Sequence, residues 1–131
     1  MSVDSLVAEV MTSVPKCVAC GVVDMDSGML LGVRTVDSHP AEVLDLVAAT
    51  TKDLFEGENV TAIEDAFKRA RGTESAERYF REILVLSKNV IHVFARLPRL
   101  PSVVLTVVCR ADANLGLVLM KSRQAAAKAE I

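Results

Sequence analysis

The chain has 131 residues, enough for one domain with its own core and too few for a comfortable second. Its formal net charge of −2 supplies no field for gathering polyanions, which argues against general nucleic-acid binding. Three cysteines, an odd number in a chain that is not cysteine-rich, argue against a disulfide framework and point to a reducing cytoplasm.

Hydrophobic residues make up 51% of the chain, yet there are four Phe, one Tyr and no Trp, so the core must be mostly aliphatic. That excess hints at apolar surface buried against another chain. The N-terminus carries Asp4 and Glu9 among its apolar residues and has no basic segment, so it does not read as a signal peptide. No apolar run approaches the roughly 18 residues of a membrane span. Asn59-Val60-Thr61 matches a glycosylation acceptor, a match without meaning in a chain that is not secreted.

In chain order, Val3, Leu6, Val7, Val10, Met11 and Val14 follow helical spacing, with Ser2 or Asp4 to cap the start and Pro15 to stop the run. Residues 17–23 form an apolar run of strand length, Asp24-Met25-Asp26-Ser27-Gly28 supplies a turn, and residues 29–33 return as a short strand containing Gly32. Ser38, His39 and Pro40 then announce a helix that runs to about Phe55. On a helical wheel Leu46, Thr50, Val43, Leu54, Val47, Thr51, Leu44, Phe55 and Ala48 span an arc of roughly 200°, where a helix lying on one sheet needs little more than 100°. The excess needs a second partner, and a copy of the same helix is the simplest one.

Residues 56–79 read as a connecting insertion, with a short helix over 61–71 whose apolar side is Ile63, Ala66, Phe67 and Ala70, followed by a loop at Gly72-Thr73-Glu74-Ser75. Strands are predicted over 81–86, 90–97 and 102–109. The run Val103-Val104-Leu105-Thr106-Val107-Val108 is apolar on both faces and marks a central strand covered on both sides. Asp112 is expected to cap a final helix over 113–129, with Lys121, Arg123 and Lys128 complementing its dipole. The order is α-β-β-α-(insert)-β-β-β-α, an α+β domain with helices on a five-stranded antiparallel sheet.

This arrangement resembles the roadblock family, known from dynein light chains and from bacterial and archaeal partners of small Ras-like GTPases. The resemblance rests on the hairpin Gly21-Val22-Val23-Asp24-Met25-Asp26-Ser27-Gly28-Met29-Leu30, the broad-faced helix from Pro40 to Phe55, and Asp112-Ala113-Asn114-Leu115-Gly116-Leu117 leading into the last helix. It implies a sheet of roadblock, longin or profilin type with helices on both faces. It also implies a homodimer that pairs its second strands and sets its central helices side by side. Carried onto this chain, Met29, Leu30, Leu31 and Val33 form the strand seam, and Val43, Leu44, Val47 and Leu54 the helix pair. A small Ras-like GTPase is the partner the resemblance suggests. The alternatives are a small-molecule sensor of PAS or GAF type, which needs a cavity with convergent polar groups, and a structural subunit of a motor or larger assembly.

No motif argues for catalysis. Cys17-Val18-Ala19-Cys20 has C-x-x-C spacing, but residues i and i+3 of a regular strand project to opposite faces, so buried structural thiols are expected. Asp24-x-Asp26-x-Gly28 begins like a calcium loop, yet Met29 and Thr35 occupy the positions where such a loop needs Gly and Glu. His39 belongs to a helix start and His92 to a strand, where a hydrogen-bonded sheet residue is expected. Lys68-Arg69-Ala70-Arg71 is interleaved with acids and reads as a solvated face, with a docking surface for an acidic partner as the alternative. No enzyme activity, cofactor or metal is expected.

Overall fold

The computed structural model describes residues 2–36, 41–72 and 80–131, with backbone alone for residues 41–45. In order come α1 (Val3–Ser13), β1 (Cys17–Asp24), β2 (Met29–Thr35), α2 (Ala41–Glu56), α3 (Glu58–Arg71), β3 (Glu82–Leu86), β4 (Val90–Leu97), β5 (Leu100–Arg110) and α4 (Leu115–Lys128). The five strands form one sheet ordered β2-β1-β5-β4-β3, antiparallel at every pairing. The α+β class and the element order match the expectation. The helix-start signal at Ser38, His39 and Pro40, and residues 73–79 of the expected insertion, lie outside the described residues.

Strand β5 is central, and its alternate residues feed two cores. Val103, Leu105, Val107 and Cys109 join Cys20, Val22, Ile91 and Val93 against Leu6, Val7 and Val10 of α1 and Val118, Ala125 and Ala126 of α4. On the opposite face Val104, Val23 and Phe94 pack with Met25 and with Ala48 and Phe55 of α2. The first core is the larger. Period-two alternation thus explains why β5 is apolar on both sides.

Local chemistry sets the element ends. Ser2 Oγ accepts the Ser5 N–H at 3.1 Å and caps α1. In the β1–β2 turn the Asp24 carboxylate accepts from Ser27 Oγ at 2.8 Å, and Gly28 takes φ 73°, which a Cβ would resist. Lys16, which leads α1 into β1, adopts a positive φ of 54°. Helix α4 is capped by Asn114, whose Oδ1 accepts the Leu117 N–H at 3.0 Å, and not by Asp112. Asp112 instead accepts from Lys16 Nζ at 2.8 Å, so the cap falls two residues later than expected. Helix α3 starts three residues before the expected boundary, and Gly72 closes it at φ 67°.

Two irregularities re-aim side chains. The β1–β2 register slips between Val22 and Val23, leaving Leu31 as the extra residue on β2. The β1–β5 register slips between Cys17 and Ala19, leaving Val18 extra. This second slip restores Cys17 to the face that carries Cys20. Both cysteines contact the larger core, where regular alternation had set them on opposite faces.

Candidate functional site

The broad apolar arc of α2 divides in two. Ala48, Thr51 and Phe55 turn inward and are buried, and Thr51 Oγ1 donates to the Val47 carbonyl at 2.8 Å. Leu54 is half-buried against the same core. At the other margin Leu46 is 67% exposed and Val47 is exposed beside it. The side of the arc facing the sheet, open from sequence, is therefore the Thr51–Phe55–Ala48 side. Of the expected helix-pair residues, Val47 faces outward and Leu54 inward, and the side chains of Val43 and Leu44 lie outside the described residues. Leu46, absent from the expected set, is the most exposed apolar residue of the helix among those described. Its position at one margin of the arc was the available signal.

The last turn of α2 is clamped from below by Arg96 of β4. Its Nη1 donates to Glu56 Oε2 at 3.0 Å and to the Pro101 carbonyl at 2.8 Å, and its Nε donates to the Phe80 carbonyl at 2.7 Å. The guanidinium also lies 5.1 Å from the Phe55 ring centroid. One nearly buried cation thus joins α2, the approach to β3 and the start of β5. Lys52 Nζ donates to the Met25 carbonyl, adding a tie to the β1–β2 turn.

Beside α2 the sheet carries an open groove of about 480 Å³. Ala19, Gly21, Leu30, Val33, Thr106 and Val108 contribute to its lining, with Val47 at the helix side and Arg110 among its few polar members. Thr106 is buried, and its Oγ1 has no hydrogen-bond partner among the described residues. The ring of His92 stacks on Phe94 at 6.1 Å, and its Nδ1 is likewise buried without a partner among them.

Both sheet edges expose apolar side chains. On β2, Met29, Leu31 and Val33 are exposed, whereas Leu30 is half-buried and packs on the smaller core. On β3, Leu84, Val85 and Leu86 are exposed, and the β3–β4 register is regular throughout. The strand was expected over 81–86, but a short strand following an insertion gave no sign in the sequence of being an edge. Helix α3 reverses an ordinary helix: Ile63 and Phe67 are each 52% exposed, while Glu64 and Lys68, one turn apart, are buried. Among the described residues no group of three His, Cys, Asp or Glu side chains is placed to hold a metal ion. None of the described helices is long and apolar enough to cross a membrane.

No protein-family model matches the chain, and no curated protein matches it by sequence. Solved structures do match its fold. A Roadblock/LC7 domain from Streptomyces avermitilis superposes with a TM-score of 0.68 at 14% identity, covering 96% of this chain and 92% of that one. The gliding protein MglB of Thermus thermophilus gives 0.67 at 17% identity, over 95% and 83%. MglC of Myxococcus xanthus gives 0.60 at 20% identity, over 98% and 96%. The chain has the roadblock fold over nearly its whole length.

Proposed function

We propose that this chain is a non-catalytic protein-interaction module that works as a homodimer and binds a small Ras-like GTPase. The observation that carries the reading is the outward margin of α2. Leu46 and Val47 stand exposed on a helix whose inner side is already satisfied, beside a sheet edge that is itself apolar. A monomer would leave this surface in water, and a two-fold mate covers it with its own copy. The expected strand seam, Met29, Leu30, Leu31 and Val33, lies on β2, the edge against which α2 packs. The opposite edge, β3, competes as the pairing strand because its ladder is regular, whereas the bulge at Leu31 kinks β2.

Sedimentation tests the dimer, and lysine scanning locates its strand. Leu31→Lys and Leu84→Lys each place a charge on one edge, and the edge used for pairing is the one whose variant sediments as monomer. A wild-type monomer at micromolar concentration defeats the dimer reading. The GTPase rests on the family resemblance and on the availability of a rigid surface that can favour one conformation of mobile switch segments. Titration of candidate Ras-like GTPases in GDP and GTP-analogue states tests it, and absence of binding in both states counts against it.

A small-molecule role has one observation behind it, the open groove whose lining holds the Thr106 hydroxyl, without a hydrogen-bond partner among the described residues. Its size falls in the range of ligand sites, but its lining is almost wholly aliphatic. Quenching of an environment-sensitive apolar dye by Val108→Trp would reveal occupancy, and an unresponsive Trp signal removes this reading.

A further inference from the structure

All three cysteines meet on one face of the sheet. Cys17 and Cys109 are direct partners across β1 and β5, and Cys20 lies on the same face of β1. The Arg110 N–H donates to the Lys16 carbonyl at 3.0 Å, immediately outside the Cys17–Cys109 pair. That bond marks the pair as a non-hydrogen-bonded site of the antiparallel ladder. Such sites bring opposed Cα atoms to about 4.5 Å and their side chains closest together. A disulfide needs a Cα separation of about 4.4–6.8 Å. The Cys17 thiol also donates to the Ala19 carbonyl at 3.3 Å, which holds its sulfur on the strand beside the pair.

The three sulfurs are unequal. Cys17 is half-buried, whereas Cys20 and Cys109 are shut inside the larger core. Hydrogen bonding with the Cys109 thiol, opposed by burial, holds the Cys17 pKa below the ordinary thiol value. The same hydrogen bond, with burial, pushes Cys109 up, and burial pushes Cys20 up. The more accessible sulfur is therefore also the one that ionises first, and a protonated thiol waits opposite it.

We propose that Cys17 and Cys109 are a redox-active dithiol that reacts with hydroperoxides and closes a reversible disulfide between β1 and β5. The Cys17 thiolate attacks a peroxide oxygen and the O–O bond breaks. Cys17 becomes a sulfenic acid, and the departing hydroxide or alkoxide takes up a proton. The Cys109 sulfur then attacks the Cys17 sulfur, the S–O bond breaks, and water leaves carrying the Cys109 proton. For hydrogen peroxide the balance is two thiols and one peroxide to one disulfide and two waters. Cellular dithiols reverse the reaction by exchange.

The test is hydrogen peroxide titration of the full chain, followed by alkylation and peptide mass analysis. Because Cys17 and Cys20 fall on one tryptic peptide, Cys20→Ala is run beside the wild type. The expected product in both is lighter by two hydrogens and contains a Cys17–Cys109 linked peptide pair. Before oxidation, Cys17 in the folded protein should be alkylated about tenfold or more faster than Cys20 or Cys109. Cys109→Ala should accumulate Cys17 sulfenic acid that a dimedone probe traps. Linkage through Cys20 in the wild type, direct passage of Cys17 to sulfinic acid, or oxidation confined to Met11, whose Sδ lies 3.6 Å from Cys17 Sγ, overturns the proposal. Fragmentation of the wild-type linked peptide pair, which places the alkylated sulfur at Cys17 or Cys20, decides the matter even if a variant fails to fold.

Discussion

Val3 Cγ1 of α1 fills the space that a Cβ on Gly32 of β2 would occupy, with Val7 Cγ2 close behind at 3.8 Å. Gly32 is what lets the first helix lie against an edge strand. Gly32→Ala forces α1 to shift, and overpacking of this kind costs about 1–3 kcal/mol. Denaturant unfolding should show the loss, and the added Val3→Ala should recover part of it. No recovery would mean that the glycine serves the bulge at Leu31 instead.

Arg96 should be among the costliest polar residues to replace. Its side chain is 7% exposed and satisfies Glu56 and two backbone carbonyls while lying over Phe55. Arg96→Ala leaves these acceptors without their donor in a partly dry setting, at a cost of about 2–4 kcal/mol. Arg96→Lys should rescue little, since an ammonium cannot reproduce the planar fork. Glu56→Gln should cost less than either. Chemical denaturation ranks the three variants, and a full rescue by Arg96→Lys would show that charge rather than forked bonding matters.

Leu46→Asp and Val47→Asp separate assembly from folding. Both side chains are exposed in one copy, so the monomer should change by only about 0.5 kcal/mol. Burial of the new charge across a two-fold contact costs several kcal/mol, which sedimentation registers as dissociation. Variants that stay dimeric would move the seam off α2.

Acid sensitivity should pass in part through the first hairpin. Hydrogen bonding from Ser27 is the main influence holding the Asp24 carboxyl below its ordinary value, aided by the Asp26 and Ser27 amides and by Lys52. With the folded value depressed, the carboxylate supports the turn above the unfolded pKa, and that support is lost as pH falls through the folded value. Carboxyl NMR titration should find Asp24 titrating below an ordinary aspartate, and Ser27→Ala should move it up. An unmoved midpoint assigns the shift to the backbone amides.

What was legible in the sequence followed from periodicity. Strand β5 was placed at the centre because Val103 to Val108 has no polar face, and α1 followed from Leu6, Val7 and Val10 at helical spacing. What was not legible depends on a single residue of register or a single bond to a distant partner. Asp112 looks like a helix cap as much as Asn114 does, until Lys16, far away in sequence, claims it. The parity argument that set Cys17 against Cys20 is sound for a regular strand, and Val18 breaks it through a bulge that no local signal announces. Helix α3 shows the same limit: Ile63 and Phe67 form an apolar stripe at helical spacing, yet the fold turns Glu64 and Lys68 inward. The wide arc of α2 was visible at once, but only its packing on Val23, Phe94 and Val104 shows which margin remains outside.

The strand order β2-β1-β5-β4-β3 leaves the sheet with two unlike rims, one kinked and one straight. If two copies pair along one rim as proposed, a two-fold axis spends the same rim of both, so the pair ends in two identical rims of the other kind, facing away from each other. Such an assembly has a valence of two and equal ends. Whatever recognises a free rim can bind twice, once at each extremity, without any further change in the chain.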